Sequence, residues 1–277
     1  MYAFFSDGLV EGMAWMTVNK DSLHYNMMHK SQGIAYIFNH QTFDTKKCLE
    51  RHGTDVDARK LSNCLEALGF DVLVFKDLKL AEIIYHVNQA VIMDHTNYNC
   101  FLLIVLSHGD QVLLYARDEP YNPDEILWDQ FTADKCPTLA GKPKLFLLQS
   151  CQGLNTDPGI KLVQRPVRTE TDGQFLSYRI PIYADFLIIY ATFKGHYAFR
   201  NRGAGSYFIT VLCEELEKLA YKENLLTILT IVNRRVAVEF ESNHKDPDKN
   251  DKKQIPYFKS SLTRLVQFLD ITNAITD

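Results

Sequence analysis

Two residues stand where their types and setting allow covalent chemistry. Cys151 lies near the end of KPKLFLLQSCQG, residues 142 to 153, where an apolar run, Leu145 to Leu148, stops abruptly at Gln149-Ser150-Cys151. His108 follows a second apolar run, Phe101 to Leu106, in FLLIVLSHG. A free thiol has a pKa of about 8.5 and is mostly protonated at neutral pH, and an imidazole beside it raises its nucleophilic competence. Delivered together, the two would run acyl transfer through a covalent intermediate. Gly109 and the backbone at Cys151 could aim N–H groups at the oxyanion that develops. A cysteine or histidine at a strand end also has a plainer use as packed core, so the elements that carry the two must decide.

Both runs read as buried strands bounded by polar residues. Gly33 to Asn39 is a first strand, and Thr54 or Asp55 caps a helix with Leu61, Cys64, Leu65 and Leu68 on one face. Phe70 to Phe75 is the next strand, and Leu80, Ile83, Ile84, Val87 and Val91 mark a second helix. Val112 to Tyr115 reads as a short strand and Pro123 as a helix start. Ala184 to Thr192 is a strand, followed by helices carrying Phe208, Leu212, Leu216 and Leu219, then Ile228, Val232, Val236 and Phe240. Tyr257-Phe258 and Val266-Gln267-Phe268 close the sheet edge, with Leu262 to Leu269 as the candidate edge strand. Alternating strands and helices imply an α/β fold with a mainly parallel sheet covered on both faces. Reactive groups in such sheets sit beyond the carboxyl ends of strands. That rule selects His108 and Cys151 from nine histidines and six cysteines.

A net charge of −4 and a pI near 6.1 give no reason to expect nucleic acid or a membrane surface as partner. The cysteines form no CxxC pair and no zinc-type spacing, so neither metal nor cofactor is expected, and five of the six read as reduced core thiols. The amino-terminal stretch lacks a basic segment, and no apolar run approaches the ~20 residues of a membrane span. A reducing, cytoplasmic setting follows. Residues 1–30 read as a short, poorly ordered leader, 154–179 as a solvated linker with Pro158, Gly159, Pro166 and Gly173, and Asn243 to Lys253 as an exposed charged loop.

QSCQG resembles the caspase nucleophile pattern, QAC followed by R, Q or G and then G, with a histidine roughly 50 residues upstream, where His108 stands. RHGTDVDARKL, LSHGD, AGKPKLF, ADFLIIYAT, FRNRGAGSYFI, VNRRVAVEFES and KKQIP resemble caspase segments in caspase order. The resemblance runs from about Gly33 to the end. It implies a three-layer α/β/α sandwich with a mainly parallel six-stranded central sheet, occupying residues 31–277. It also implies an Asp-directed cysteine endopeptidase of the short-leader, executioner type. Cys151 is then the nucleophile, His108 the acid–base, and Gly109 with Cys151 the oxyanion hole. Arg51, Gln149 and Arg200 hold the substrate aspartate, and two guanidinium groups with an amide suit a buried carboxylate. Tyr197, Phe199 and Asn201 line the neighbouring substrate positions.

The linker carries Thr169-Glu170-Thr171-Asp172-Gly173, an Asp-Gly bond that such an enzyme could cut. Processing at Asp172 would divide a zymogen into a large chain, about 31–172, and a small chain, about 173–277. The resemblance further implies protein substrates with exposed Asp-containing loops and a homodimer of large-plus-small units. Initiator caspases would act upstream, and inhibitor-of-apoptosis proteins are further possible partners. The sequence departs from the family in Ser150 for Ala, in Asp110 for Glu, and in NHKDPDKNDKK, which replaces a loop that brings an aromatic residue to the cleft. The rival reading is a catalytically silent decoy that dimerises with an active paralogue. Retention of Cys151, His108, Arg51, Gln149 and Arg200 argues against it, and the two arginines argue against an Arg- or Lys-selective peptidase.

Overall fold

In chain order the elements are β1 (Ser31–Asn39), α1 (Thr54–Ala67), β2 (Phe70–Lys76), α2 (Leu80–Ile92), β3 (Tyr98–Leu106), β4 (Leu114–Tyr115), β5 (Pro120–Tyr121), α3 (Pro123–Ile126), β6 (Lys144–Gln149), β7 (Phe186–Tyr190), α4 (Tyr207–Leu219), α5 (Leu225–Glu239) and β8 (Tyr257–Ser260). The structure is a computed structural model and describes residues 14, 16–46, 48–153, 155–157 and 180–270.

The central sheet runs β2-β1-β3-β6-β7-β8. Its neighbours are parallel except β8, which lies antiparallel on β7. Alternate side chains feed two cores, because successive residues of a strand point to opposite faces. Ala35, Ile37, Leu102, Ile104, Leu145 and Leu147 pack with α1, α4 and α5. Tyr36, Phe38, Leu103, Val105, Phe146 and Leu148 pack with α2 and the turns after α3. The result is the expected α/β/α sandwich with six strands, mainly parallel. β6 enters under restraint, since Lys142 Nζ donates to the carbonyls of His95, Thr96 and Tyr98 at 2.7, 2.8 and 2.7 Å.

Four expectations are corrected. The cap of α1 is Gly53 (φ 85), with no side-chain cap bond. A Cβ there would lie 2.4 Å from the Asn201 carbonyl, so conformation and close approach both demand glycine. The Thr54 hydroxyl is instead committed to Asn39 Oδ1 at 2.7 Å and to Arg51 Nη1 at 2.8 Å. The outer edge next to β7 is β8, not Leu262 to Leu269. Val266 and Phe268 turn into the core, the Phe268 ring meeting Phe70 edge-on at 5.9 Å, so their alternation reflects burial without a ladder. Residues 16–30, read as leader, pack on the domain. Tyr25 and Met27 are buried, and the Tyr25 hydroxyl donates to Asp185 Oδ1 at 2.7 Å. Cys48, finally, is only half-buried, while Cys64, Cys100, Cys136 and Cys213 are core thiols.

Candidate active site

The pairing of β3 with β6 places the two reactive residues together. Leu106 and Gln149 are the last partners of the ladder, and each strand then runs two residues further, to His108 and to Cys151. The Ser107 N–H donates to the Gln149 carbonyl at 3.3 Å, so the alignment persists past the strand ends. Just beyond, Gly153 (φ 151) passes so close to Gly195 that a Cβ would stand 2.4 Å from its carbonyl oxygen. Only glycine lets the chain leave the thiol along that path.

His108 Nε2 donates to the Leu49 carbonyl at 2.6 Å, and the ring lies 4.9 Å from Phe43. A carbonyl can only accept, so Nε2 holds the proton and Nδ1 keeps the free lone pair of a base. Burial first, then the charges of Arg51 and Arg200, push the imidazole down to about 4, against the Leu49 bond. It is neutral at pH 7. Burial raises the Cys151 thiol, while the Ala198 N–H and the charges of Arg51, Arg200 and Lys249 pull the other way. The Ala198 N–H reaches Sγ at 3.5 Å, and Sγ lies 3.8 Å from the Ala198 carbonyl, so in this state the thiol is engaged by Ala198 rather than His108. Hydrogen bonds of catalytic pairs are often long without substrate and tighten with it.

Gly109 pairs with Leu114 as an isolated bridge, flanked by Tyr115 N–H to His108 O at 3.1 Å and Asp110 N–H to Leu113 O at 3.0 Å. Gly109 therefore occupies a non-hydrogen-bonded position of the antiparallel pair, and among the described residues its own N–H has no backbone acceptor. The Cys151 N–H likewise has no backbone acceptor among the described residues. A Cβ on Gly109 would lie 3.0 Å from the Cys151 carbonyl oxygen, which measures how closely the two backbones approach.

Arg51, 1% exposed, is caged. Nη1 donates to the His40 carbonyl and to Thr54 Oγ1, both at 2.8 Å, and Nη2 to the Gln149 carbonyl at 3.3 Å. Arg200 Nε donates to the His52 carbonyl at 2.9 Å. Among the described residues neither guanidinium has a carboxylate within ion-pair distance. Burial and the neighbouring Arg200 hold Arg51 well below the usual arginine range, and Asp57 at longer reach opposes them. Gln149 is buried beside them, and its Oε1 has no hydrogen-bond partner among the described residues.

Tyr197 and Phe199 stand 6.5 Å apart, and Phe199 packs on Phe240 at 5.5 Å. The Asn201 side chain turns into its own loop, accepting from the N–H groups of Gly203 and Ala204 at 2.8 and 3.0 Å. Asn201 therefore shapes the loop that carries Arg200, a role its position in FRNRG did not disclose. No helix among the described residues is long and apolar enough to cross a membrane.

Residues 32–267 match the family model for the Caspase domain. The chain belongs to the caspase family. It is 49% identical over 258 residues to Caspase-1 of Spodoptera frugiperda, covering 92% of this chain and 85% of that one. It is 43% identical over 271 residues to Caspase drICE of Drosophila melanogaster, covering 97% and 79%. The crystal structure of Caspase-1 from Spodoptera frugiperda superposes with a TM-score of 0.86 at 46% identity, covering 93% of this chain and 99% of that one. Caspases are cysteine proteases. Cys151, His108, Gly109, Arg51, Gln149 and Arg200 lie at one end of the sheet here. Asp172 lies outside the described residues. Sequence reasoning missed Gln254, whose Oε1 accepts the Phe199 N–H at 2.9 Å while Nε2 donates to the Ala191 carbonyl at 2.7 Å. It also missed Lys249, placed in a loop read as merely exposed. Gln254 lies inside KKQIP, quoted above only for its resemblance, and the local signal for Lys249 was its place between α5 and that segment.

Proposed function

We propose that this caspase is an active endopeptidase that cuts proteins after aspartate in programmed cell death, in the cytoplasm. It is made as a zymogen, activated by cleavage at Asp172, and works as a homodimer joined through the sheet edge at β8. One observation carries the specificity. Two guanidinium groups lie near the thiol, one fully buried, and among the described residues they donate only to neutral acceptors, so the cleft offers an unmet demand for a carboxylate.

With the aspartate side chain held by Arg51, Arg200 and Gln149, the scissile carbonyl is presented to Sγ of Cys151. His108 Nδ1 takes the thiol proton as Sγ attacks the carbonyl carbon, and the oxygen gathers charge against the N–H groups of Gly109 and Cys151. Collapse breaks the C–N bond, and the departing amine takes the proton from His108. Water, deprotonated by the same imidazole, then cleaves the thioester and restores the thiol.

The test is release of a fluorophore from peptides ending in Asp, by linker-cleaved protein against Cys151→Ala. Release that depends on Cys151 and fails with Asn in place of Asp is expected. No Cys151-dependent release would leave the silent decoy as the better reading. Asp172→Ala should remain a single chain on expression, and two unchanged fragments by mass spectrometry would place the cleavage elsewhere.

A further inference from the structure

On the face of the sheet away from α2, α1 and α4 run side by side in the same direction, joined by matched contacts. Asp57 accepts from the Ser206 N–H and hydroxyl, both at 2.6 Å. One turn on, Lys60 Nζ donates to Thr210 Oγ1 at 2.8 Å and to the Ala204 carbonyl at 3.0 Å. Just past the end of α4, the Tyr221 hydroxyl donates to the Ala67 carbonyl at 3.4 Å. Residues three and four apart share one face of a helix, so Asp57, Lys60 and Cys64 make one stripe, and Ser206, Thr210 and Cys213 make the stripe that faces it.

The rungs on either side hold Cys64 opposite Cys213. Cys64 Sγ stands 3.9 Å from the Cys213 carbonyl oxygen, and the two side chains interact directly. Contact with Cys64, ahead of burial, raises the Cys213 thiol, which therefore rests in its neutral form. The two residues are 2% and 6% exposed, in a core shared with Leu61, Leu65, Leu212 and Leu216. Bonded cysteines need Cβ atoms about 3.5–4.5 Å apart. A thiol that already reaches the backbone of the residue opposite, between helices pinned on both sides, leaves closure to side-chain rotation.

We infer that Cys64 and Cys213 form a redox-modification site, at which a small hydroperoxide converts the two thiols to a disulfide that staples α1 to α4. Cys213, the more exposed, gives up its proton and attacks the peroxide; the O–O bond breaks, leaving a sulfenic acid on sulfur and releasing an alcohol, or water from hydrogen peroxide. The Cys64 sulfur then attacks the sulfenic sulfur, the S–S bond forms, and the hydroxyl departs as water with the Cys64 proton. The two thiols lose two electrons and two protons, and the peroxide takes up both. Burial makes the site slow, and contact makes it selective. Cys213 is also the one cysteine beyond residue 172. With the linker cut at Asp172, as proposed above, the staple would join the large chain to the small one covalently, although the bond itself needs neither cleavage nor activity.

The full chain is treated with hydrogen peroxide at a dose that oxidises the half-buried Cys48, alkylated in denaturant and digested without reductant. Mass spectrometry is expected to find the Cys64 and Cys213 peptides joined, two hydrogens lighter than their sum, and parted again by dithiothreitol. Cys64→Ala and Cys213→Ala should each lose the joined species, while Cys48→Ser should keep it. In linker-cleaved protein the same bridge should appear as one band without reductant and two with it. Both thiols still free once Cys48 is oxidised, or Cys213 carried on to sulfinic acid with no bridge, overturns the site. So does a bridge that forms equally fast in chain unfolded beforehand in urea, because the register of α1 on α4 would then play no part.

Discussion

Replacing Arg51 by Met separates what the buried guanidinium does for the fold from what it does for substrate. The side chain is 1% exposed and donates three hydrogen bonds, to His40 O, Thr54 Oγ1 and Gln149 O. Hydrogen bonds to a charged donor are each worth about 1.5–3 kcal/mol. Against them stands the desolvation of a cation with no carboxylate in contact among the described residues and Arg200 beside it, a penalty of several kcal/mol. A methionine of similar length removes both sides of that balance, so Arg51→Met should unfold in urea within about 2 kcal/mol of the wild type. Catalysis has no such compensation. Truncating one partner of a buried, hydrogen-bonded charge pair costs about 2–5 kcal/mol, so kcat/KM for an Asp peptide should fall by about 30- to 5,000-fold. The ratio of Asp to Asn cleavage should fall towards one. Urea titration establishes the folded state, and paired Asp and Asn peptides measure the selectivity. A folded Arg51→Met protein that lost less than about threefold in kcat/KM, or kept its Asp selectivity, would refute the carboxylate pocket.

His40 should make the fold acid-sensitive. Burial, with a smaller contribution from Arg51, lowers this imidazole to about 4, while the Leu78 and Phe38 backbone and Asp77 oppose the shift. The unfolded chain takes up the proton near 6.5 and the folded one only near 4, so the contribution is complete above pH 6.5 and lost as pH falls towards 4. It amounts to about 3 kcal/mol, seen as a slope of unfolding free energy against pH that His40→Gln should flatten; an unchanged slope would show that other groups produce it. Asp57→Asn should destabilise by about 1–3 kcal/mol, because Oδ1 and Oδ2 accept the Ser206 N–H and hydroxyl, both at 2.6 Å, and a carboxamide turns one acceptor into a donor. Since Asp57 and Ser206 lie on opposite sides of the linker, the same change should weaken association of the two cleaved chains, read by dilution and size-exclusion chromatography.

The strands that lead to His108 and Cys151 were legible because fully buried parallel strands leave unbroken apolar runs, and Phe101 to Leu106 and Leu145 to Leu148 are such runs. Arg51 was legible only through the letters around it, since nothing in an arginine codon-by-codon reading distinguishes a 1%-exposed guanidinium from a solvated one. What failed did so where one pattern serves two environments. Val266 and Phe268 alternate like a strand, yet they alternate because one side of an irregular segment covers α1 and β2. Thr54 has the side chain of a helix cap, but Arg51 and Asn39 compete for its hydroxyl, and Gly53 supplies the turn instead. Lys249 was hidden by composition, because a run of charges reads as a solvated loop until Ser242 and Asp246 are seen to fix its shape.

On the proposed reading, the arginines that hold the substrate aspartate also help to set the basicity of the imidazole that takes the thiol proton. In the free cleft Arg51 and Arg200 help to hold His108 near 4, so the base is weak until the pocket is filled. A substrate carboxylate placed between the two guanidinium groups cancels much of their field. The depression that they cause is then relieved, and His108 becomes a stronger base in the complex than in the free enzyme. An acidic limb in kcat/KM reports the free enzyme, and one in kcat reports the complex. The limb of kcat should therefore lie at higher pH than that of kcat/KM, both below the ordinary imidazole value because desolvation remains the larger cause. Peptide cleavage followed from pH 3.5 to 8 gives both profiles. Arg200→Gln, which removes one of the two charges, should draw them together by raising the limb of kcat/KM. Coincident limbs in the wild type, or a kcat limb on the acid side, would show that the two arginines act on the substrate alone.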